Sequence, residues 1–466
     1  MRAWGVVILW LAVTRLAYAQ QQVLSYAAFE QRVVQNHPLA RQAALYADLG
    51  RAQLMEARGA FDPKLAFYNS EKVFGNAFYY RDQGLKATVP LRAGINLDGG
   101  YERVTGAFAD PQIKTPLAGL YYGGLEVSLG RGLFIDSRRA GVLQGRNLLS
   151  LSQVLALNYG NKLVLDAAKD YWDWWNAWAA TGYLQTGVDL ALTRLNAVRV
   201  QVAIGEEAAI DTVEALILYQ DRYNQLLTAR QNRREAYLRL QTYFWQERFE
   251  PLQLDSTLQP EPVLPVNAMP QLPDDAVVET ITRDNPALRV QRTELAQLEI
   301  DRRLAAEMLK PEVDLKYQLL GGAENLPAEA TRDYARGNYR FGASIGMPLL
   351  LRKERGKLQQ TKVKLQQGRL GLRQAERDLE ADTRAALTEL RTLAQQIQVQ
   401  QNMVVNYTRL REGETIKFSL GESSLFLVNT RESKLLEAQV KLADLQAKYQ
   451  KALAELRFQA GGILPQ

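Results

Sequence analysis

The apolar positions of this chain follow two different periods. Long stretches repeat at spacings of three and four residues, which is the pattern of a helix with one apolar face. Near the C-terminus this pattern becomes a heptad seam formed by Leu435, Ala438, Leu442, Leu445, Tyr449, Ala452 and Leu456. Because a heptad seam needs a partner helix to cover it, the pattern predicts long helices that pack in pairs.

Two long helical stretches contain no proline, and each one ends at a glycine. Gly205 follows a stretch that begins near residue 137, and Gly421 follows one that spans residues 357–417. Glycine commonly ends a helix in a left-handed conformation, and Ser423 or Ser424 is placed to cap the helix that follows Gly421. At 1.5 Å per residue the first stretch would be about 100 Å long. The sequence therefore predicts two long helical hairpins, each turning at a glycine.

Two other segments, at about residues 63–130 and 311–347, alternate between apolar and polar residues. The first segment has room for four strands and the second for two. Alternating segments of about ten residues are typical of a transmembrane barrel, although a soluble β-domain fits the strand signal equally well. Five tyrosines could form an interfacial girdle of such a barrel or lie in a soluble core: Tyr79, Tyr80, Tyr101, Tyr121 and Tyr122.

The helices and strands occur twice, which indicates an internal repeat. The equivalent positions are Pro38 and Pro286, Pro63 and Pro311, Gly130 and Gly346, and Gly205 and Gly421. In both glycine pairs, the second glycine follows the first at the same distance along the sequence. We predict a first repeat at residues 20–247, with its return helix reaching about Glu247, a proline-rich linker at 248–274 and a second repeat at 275–466.

Residues 1–19 have the pattern of a signal peptide. Arg2 precedes a short apolar run, and Ala17-Tyr18-Ala19 is a cleavage signal. The run is about half as long as a spanning helix, which argues against the alternative of a membrane anchor. No later stretch is apolar enough for a transmembrane helix, so membrane insertion of the mature chain would require a β-barrel.

Composition argues against several functions. The chain contains no cysteine and one histidine, His37, so a thiolate or multi-histidine metal site is not expected, and no cofactor or catalytic site is predicted. Basic and acidic residues are interleaved to a net charge of +6, without a basic tract that would indicate nucleic acid. Trp172, Trp175 and Trp178 could form an aromatic ligand platform, but such a stripe on a helix is usually core.

The signal peptide, the repeated helix–strands–helix plan, the prolines and the two turns resemble those of TolC-family outer-membrane efflux proteins over essentially the whole mature chain. The first turn, VAIGEEAAIDTVEA, fits the family's tip pattern with Gly205, Ala208 and Asp211. The second turn, SLGESSLFLVNTRE, keeps Gly421 and Ser424. The resemblance implies a mainly α fold with a transmembrane β part. Duplicated hairpins would form a trimeric periplasmic tunnel, and three chains would share one β-barrel with four or six strands each.

The resemblance also implies a function without chemistry. The chain would be the outer-membrane exit duct of a tripartite efflux or type I secretion system in a Gram-negative bacterium. A periplasmic adaptor would dock at the turns, and an inner-membrane pump of RND, ABC or MFS type would supply energy. Drugs, metals and proteins all remain candidate cargo. The alternative is a non-conducting coiled coil or adhesin, against which the strands argue.

The second turn departs from the family pattern where closed tunnels are constricted. The family's best-known member has acidic residues at plus six and plus nine and an arginine at plus two, where this chain has Leu427, Thr430 and Ser423. Two gates could replace the acidic ring. Leu427 with Phe426 would form an apolar constriction, or Glu422 would form an acidic mouth. Leu427 could also simply pack between helices.

Overall fold

The computed structural model describes residues 23–246, 249–253, 257–261, 274–324 and 332–462. The predicted signal peptide at 1–19 lies outside the described residues, as does most of the proline-rich linker at 248–274. The described chain is mainly helical and contains one six-stranded sheet. Among the described helices, none combines the length and the apolar character that crossing a membrane requires.

The first repeat contains two short helices, four long strands and two long helices. Its elements are β1 (Val23–Leu24), α1 (Tyr26–Asn36), α2 (Pro38–Arg58), β2 (Lys64–Phe74), β3 (Ala77–Pro90), β4 (Ile95–Thr105), β5 (Leu120–Ser128), α3 (Ser137–Ala203) and α4 (Ala209–Gln241). Asp136 caps α3, because its Oδ1 accepts a hydrogen bond of 2.8 Å from the Arg139 N–H. The return helix α4 ends at Gln241 and not near Glu247, where we had expected it to end.

The second repeat has the same order of helices and fewer strands. A short strand, β6 (Gln259–Pro260), precedes it and pairs with β1. Its elements are α5 (Asp274–Asp284), α6 (Pro286–Glu307), β7 (Glu312–Gly322), α7 (Arg332–Gly337), β8 (Tyr339–Gly346), α8 (Arg352–Ser419) and α9 (Leu425–Gln459). In both repeats a proline opens the second helix, where its missing N–H costs no helical hydrogen bond.

The six long strands form one antiparallel sheet in the order β2-β3-β4-β5-β7-β8. The first repeat supplies four strands and the second supplies two. The described chain therefore contributes six strands to the sheet and not four. Strands β3 and β4 are joined through Ala93 and Gly94, both at positive φ. The pairing of β5 with β7 joins the two repeats within the sheet.

The chain divides into two compact units. The first unit combines the residues up to Ala44 with Leu157–Asn285 and Asp378 onward, and it contains both glycine turns. The second unit combines Leu45–Ala156 with Pro286–Arg377 and contains the six-stranded sheet. In the second unit α2 lies close to α3. A Cβ added at Gly145 of α3 would lie only 3.0 Å from the side chain of Ala57 in α2.

An aromatic core lies in the first unit. Phe29, Tyr171, Trp172, Trp174 and Trp175 are buried there, together with Phe244 and small residues of α9. The core interpretation of the tryptophan stripe is confirmed for Trp172 and Trp175, whereas Trp178 stays half-buried. The most deeply buried indole, Trp174, lies outside the predicted stripe.

A second core covers the heptad seam. Leu445, Tyr449 and Leu456 of α9 are buried against residues of α5 and α8, including Ile281 and Leu390. Leu442 and Ala452 pack at the edge of this core. Burial of a leucine side chain contributes about 2 kcal/mol, so Leu445 and Leu456 help to hold α9 against α5 and α8.

Candidate functional site at the helical turns and the sheet

The first turn follows α3 at Gly205. Gly205 has a φ of +79°, a conformation that disfavours residues with a Cβ. Its N–H donates to the Val202 carbonyl at 3.1 Å, and the Glu206 N–H donates to the Gln201 carbonyl at 2.9 Å. This is the double hydrogen bond of a Schellman motif, which satisfies the last carbonyls of α3.

Asp211 defines the start of α4. Its Oδ2 accepts a hydrogen bond of 3.1 Å from the Ala208 N–H, which closes one half of a capping box. Ala208 is the N-cap residue but has no side-chain acceptor of its own. The spacing of Gly205, Ala208 and Asp211 therefore has a local structural cause, whatever else these residues do.

The second turn repeats this geometry. Gly421 has a φ of +75°, its N–H donates to the Phe418 carbonyl at 3.0 Å, and the Glu422 N–H donates to the Lys417 carbonyl at 2.9 Å. Ser424 caps α9, with its Oγ 3.4 Å from the Leu427 N–H. The predicted positive φ of both glycines is confirmed.

Glu414 ties the second hairpin together beside its turn. Its Oε1 accepts a hydrogen bond of 2.5 Å from the Ser423 hydroxyl, and its Oε2 lies 3.6 Å from Nε of Arg431. The Ser423 hydrogen bond, together with Arg431 and Lys417, holds the pKa of the Glu414 carboxyl below its usual range. Ser423, which stands where the family's best-known member has an arginine, therefore bonds within its own hairpin.

Phe426, Leu427 and Thr430 lie at the start of α9, and Glu422 lies in the turn before it. Phe426 is 63% exposed and Leu427 is 37% exposed, so neither is buried within its own chain. Glu422 is also exposed. Thr430 donates its hydroxyl to the Phe426 carbonyl at 2.8 Å, one helical turn back. The gate role of these residues stays a prediction.

Both turns are surrounded by exposed apolar side chains. These are Val200, Ile204, Ile210, Val213, Ile217, Ile416, Leu420 and Phe426. Leu425 of the second hairpin packs against Leu195, Val198 and Ala215 of the first, so the two turns lie close together. Exposed apolar groups concentrated in this way are typical of an interaction surface.

A buried charge cluster links the two hairpins. Glu432 of α9 accepts hydrogen bonds of 2.7 and 2.9 Å from Arg194 of α3, and its Oε2 lies 3.6 Å from Arg222 of α4. Arg194 also bonds Asn429, and Arg222 donates to the Gly187 carbonyl at 3.0 Å. Burial lowers the pKa of the Arg222 guanidinium, and the Glu432 carboxylate opposes this shift.

Sequence reasoning missed this cluster. Its members lie on three helices and resemble the other charged residues that alternate along them. No spacing marks Arg194, Arg222 and Glu432 as partners, since their contact depends on how the hairpins pack.

The six-stranded sheet has one apolar and one polar face. In the cross-strand register, Val89, Leu97, Leu125, Tyr317 and Phe341 form one continuous row. The last four of these side chains are exposed within the chain. Residues one position away lie on the opposite face, and they include Asp98, Glu102, Gln318 and Arg340. A row of exposed apolar groups on a sheet requires a covering phase or partner.

The five tyrosines predicted for a girdle do not share one face of the sheet, because Tyr80 and Tyr122 lie on the polar face. Tyr101 and Tyr121 lie opposite each other on the apolar face, with ring centroids 5.1 Å apart. Tyr122 lies opposite Gly100 on the polar face, because neighbouring residues of a strand point to opposite sides. Its assignment to the girdle is therefore wrong. Tyr79 contacts Phe108, with ring centroids 4.7 Å apart.

Strands β2 and β8 are the two edges of the sheet. Each pairs on one side only, and every residue of both strands is exposed. Strands β2, β4 and β7 each have 11 residues, which matches the roughly 9–11 residues of a transmembrane β-strand. A long apolar strand with an unpaired edge invites pairing with another chain.

Duplicated long hairpins and a six-stranded sheet with two different faces make up the fold of the described chain. Residues 277–462 match the sequence model of the family described as outer membrane efflux protein. The resemblance to TolC-family outer-membrane efflux proteins is confirmed by this match. A sequence search among curated proteins finds no significant match.

Solved channels share the fold. The open state of the MtrE outer membrane channel of Neisseria gonorrhoeae superposes with a TM-score of 0.66 at 17% identity, covering 94% of this chain and 89% of that one. The CmeC outer membrane channel of Campylobacter jejuni gives 0.64 at 14% identity, with 94% and 85% covered. The outer membrane protein VceC of Vibrio cholerae gives 0.64 at 13% identity, with 94% and 97% covered.

Proposed function

We propose that this chain is one of three protomers of a passive exit duct in the outer membrane of a Gram-negative bacterium. The duct would serve a tripartite efflux or type I secretion system. The observation that carries the proposal is the sheet, which has an apolar face, a polar face and two unpaired edges. When copies of such a sheet join edge to edge into a closed barrel, the backbone groups of the edge strands gain hydrogen-bond partners.

Strand direction supports this closure. Neighbouring strands of the sheet are antiparallel throughout, so β2 and β8 run in opposite directions. An edge β2 placed beside the β8 of another copy would therefore continue the antiparallel order. An even number of strands in each copy allows the pattern to close without a mismatch.

The two faces indicate what each side of the barrel meets. The apolar row would contact outer-membrane lipid, since four of its five side chains are hydrocarbon only. The polar face, with Asp98, Glu102 and Arg340, would line a water-filled lumen. Six strands from each chain would give a wider barrel than four, because barrel diameter grows with strand number.

The helical hairpins would form the periplasmic part of the duct. Their exposed apolar turns, around Gly205 and Gly421, are the surface that we propose for docking a periplasmic adaptor. Ala208, Asp211 and Ser424 would fix the shape of this surface. An inner-membrane pump of RND, ABC or MFS type would supply the energy, so the chain itself would perform no reaction.

Single-channel recording tests the proposal. The purified protein, inserted into a planar lipid bilayer, is expected to produce discrete steps of current, each from the insertion of one trimer. A non-conducting rod or adhesin would give a silent bilayer despite verified insertion, and this result would contradict the proposal.

A further inference from the structure

The first unit also contains a small pocket, away from the two turns. A pocket of about 210 Å³ is bounded by Trp174 and Trp178 of α3, Arg230, Arg233 and Arg234 of α4, and Leu258. Trp175 donates its indole N–H to the Glu261 carbonyl at 2.8 Å, which holds the segment with Leu258 against α3. All three walls are therefore fixed by contacts within one unit.

The pocket concentrates positive charge, and among the residues that the structure describes no carboxylate lines it. Arg230 donates to the neutral amide of Gln185 at 2.7 Å, and Arg234 lies over the Tyr237 ring at 5.6 Å. Arg233 has no hydrogen bond or ion pair with another described residue. These arginines are spaced by three and four residues, so they share one face of α4.

The opposite face of α4 provides a contrast. It faces a separate cleft that contains Asn232, Glu235 and Arg239. The carboxylate closest in sequence to the three arginines belongs to Glu235, which lines this separate cleft. It accepts a hydrogen bond of 2.9 Å from Gln231 of the same helix. The positive charge of the pocket is thus a property of one helix face and not of the whole helix.

We propose that this pocket binds an anionic glycan, a sugar ring whose attached short peptide carries free carboxylates. Guanidinium groups bind carboxylates through two parallel hydrogen bonds, and the half-buried indole of Trp178 offers a flat surface for a ring. The volume is below the roughly 300–1,000 Å³ typical of drug-sized ligands, so it suits one ring. In the periplasm, where the proposed function places this unit, peptidoglycan is the polymer that combines sugar rings with carboxylates.

Co-sedimentation with purified peptidoglycan sacculi tests the proposal on the intact trimer. The double variant Arg233→Gln with Arg234→Gln is expected to bind about tenfold more weakly or worse, since a hydrogen bond to a charged group typically contributes that much. Arg239→Gln is the matched control on the opposite face and should bind normally. Trp178→Ala should weaken binding without changing its salt dependence, because stacking does not involve charge.

Sacculi treated with an amidase to remove the peptides are expected to lose binding. The proposal is overturned if wild-type protein does not sediment, if Arg239→Gln loses as much binding as the double variant, or if amidase treatment has no effect. Binding to polyglutamate but not to sacculi would also overturn it, in favour of an acidic protein segment. Conductance of each variant, recorded alongside, keeps this result separate from the test of the channel itself.

Discussion

Arg194 and Glu432 form a two-pronged ion pair between the two hairpins, with oxygen–nitrogen distances of 2.7 and 2.9 Å. Their side chains are largely buried, and Arg222 lies on the other side of the same carboxylate. One carboxylate therefore balances two guanidinium groups that belong to two different helices.

Replacing Glu432 with Ala should destabilise the folded protein by about 3 kcal/mol, because it leaves buried guanidinium groups without a partner. Chemical unfolding followed by tryptophan fluorescence measures this loss. Glu437→Ala is the matched control on the same helix, since its ion pair with Lys434 is exposed and should be worth less than about 1 kcal/mol. Equal effects of the two substitutions would contradict the role of the cluster.

Gly421→Val should damage export while leaving the amount of trimer normal. The expected Cβ meets no neighbouring atom, so the effect is backbone strain of about 1–2 kcal/mol at positive φ. Export and cross-linking to the adaptor are the measurements. Gly413→Ala, a helical position with equally open surroundings, is the control and should behave as wild type. Normal export and adaptor cross-linking in Gly421→Val would show that this glycine only terminates α8.

Leu442→Asp should prevent assembly of the trimer or insertion of the barrel. Leu442 packs against the core that covers the heptad seam, where an added charge costs several kcal/mol, on the order of 3 or more. Lys448→Asp is the control, because this lysine has only an exposed ion pair with Asp444. A Leu442→Asp protein that still runs as a heat-dissociable trimer from membranes would refute the prediction.

Substitutions at Leu427 and Glu422 distinguish an apolar gate from an acidic one. We favour the apolar constriction at Leu427, so Leu427→Ser should widen the pore and raise conductance, with little block by millimolar divalent cations. Unchanged conductance in Leu427→Ser, together with a divalent block that Glu422→Gln abolishes, would favour the acidic mouth instead.

His37 predicts a pH dependence of stability. It is buried between Tyr243 and Trp245, and its Nδ1 accepts a hydrogen bond of 3.1 Å from the Leu39 N–H. Burial lowers the pKa of His37 below its usual 6.5, although a hydrogen bond with the Thr242 backbone opposes the shift. The unfolded chain therefore binds a proton at a higher pH than the folded chain, so this stability is lost as pH falls below about 6.5.

His37→Asn tests this dependence. Asn285 occupies the equivalent position of the second repeat, where it donates to the Gln459 carbonyl at 2.8 Å, so asparagine is compatible with such a helix break. The variant should show a flatter change in unfolding free energy between about pH 7 and pH 5. Because the chain contains no other histidine, an unchanged slope would rule out the assignment.

The sequence predicts the features of this fold that depend on local patterns. Gly205 and Gly421 were found because a left-handed residue at a helix end has few alternatives to glycine. The heptad seam and the strand segments were found from their periods. Tyr122 was misplaced because it was grouped with Tyr121 by residue type, although neighbouring residues of a strand point to opposite faces.

Contacts between distant segments could not be predicted in this way. Arg194, Arg222 and Glu432 are ordinary surface-like charges until the hairpins pack. The arginines of the glycan pocket share a helix face that periodicity could reveal, but Trp174 and Leu258 come from other segments. Their placement depends on tertiary packing and not on local spacing.

Disulfide cross-linking between the two sheet edges tests the central claim most directly, because the chain contains no cysteine of its own. Cysteines at Ala66 in β2 and Ser344 in β8 both lie on the polar face, and Lys64 or Tyr68 can replace Ala66 to allow for register. A pair at Gly99 and Gly123, which lie opposite each other within one chain, is the internal control. The account predicts that oxidation in membranes links chains into dimers and trimers and into nothing larger. Monomers alone, or a ladder beyond the trimer, with the internal pair fully oxidised, would contradict it.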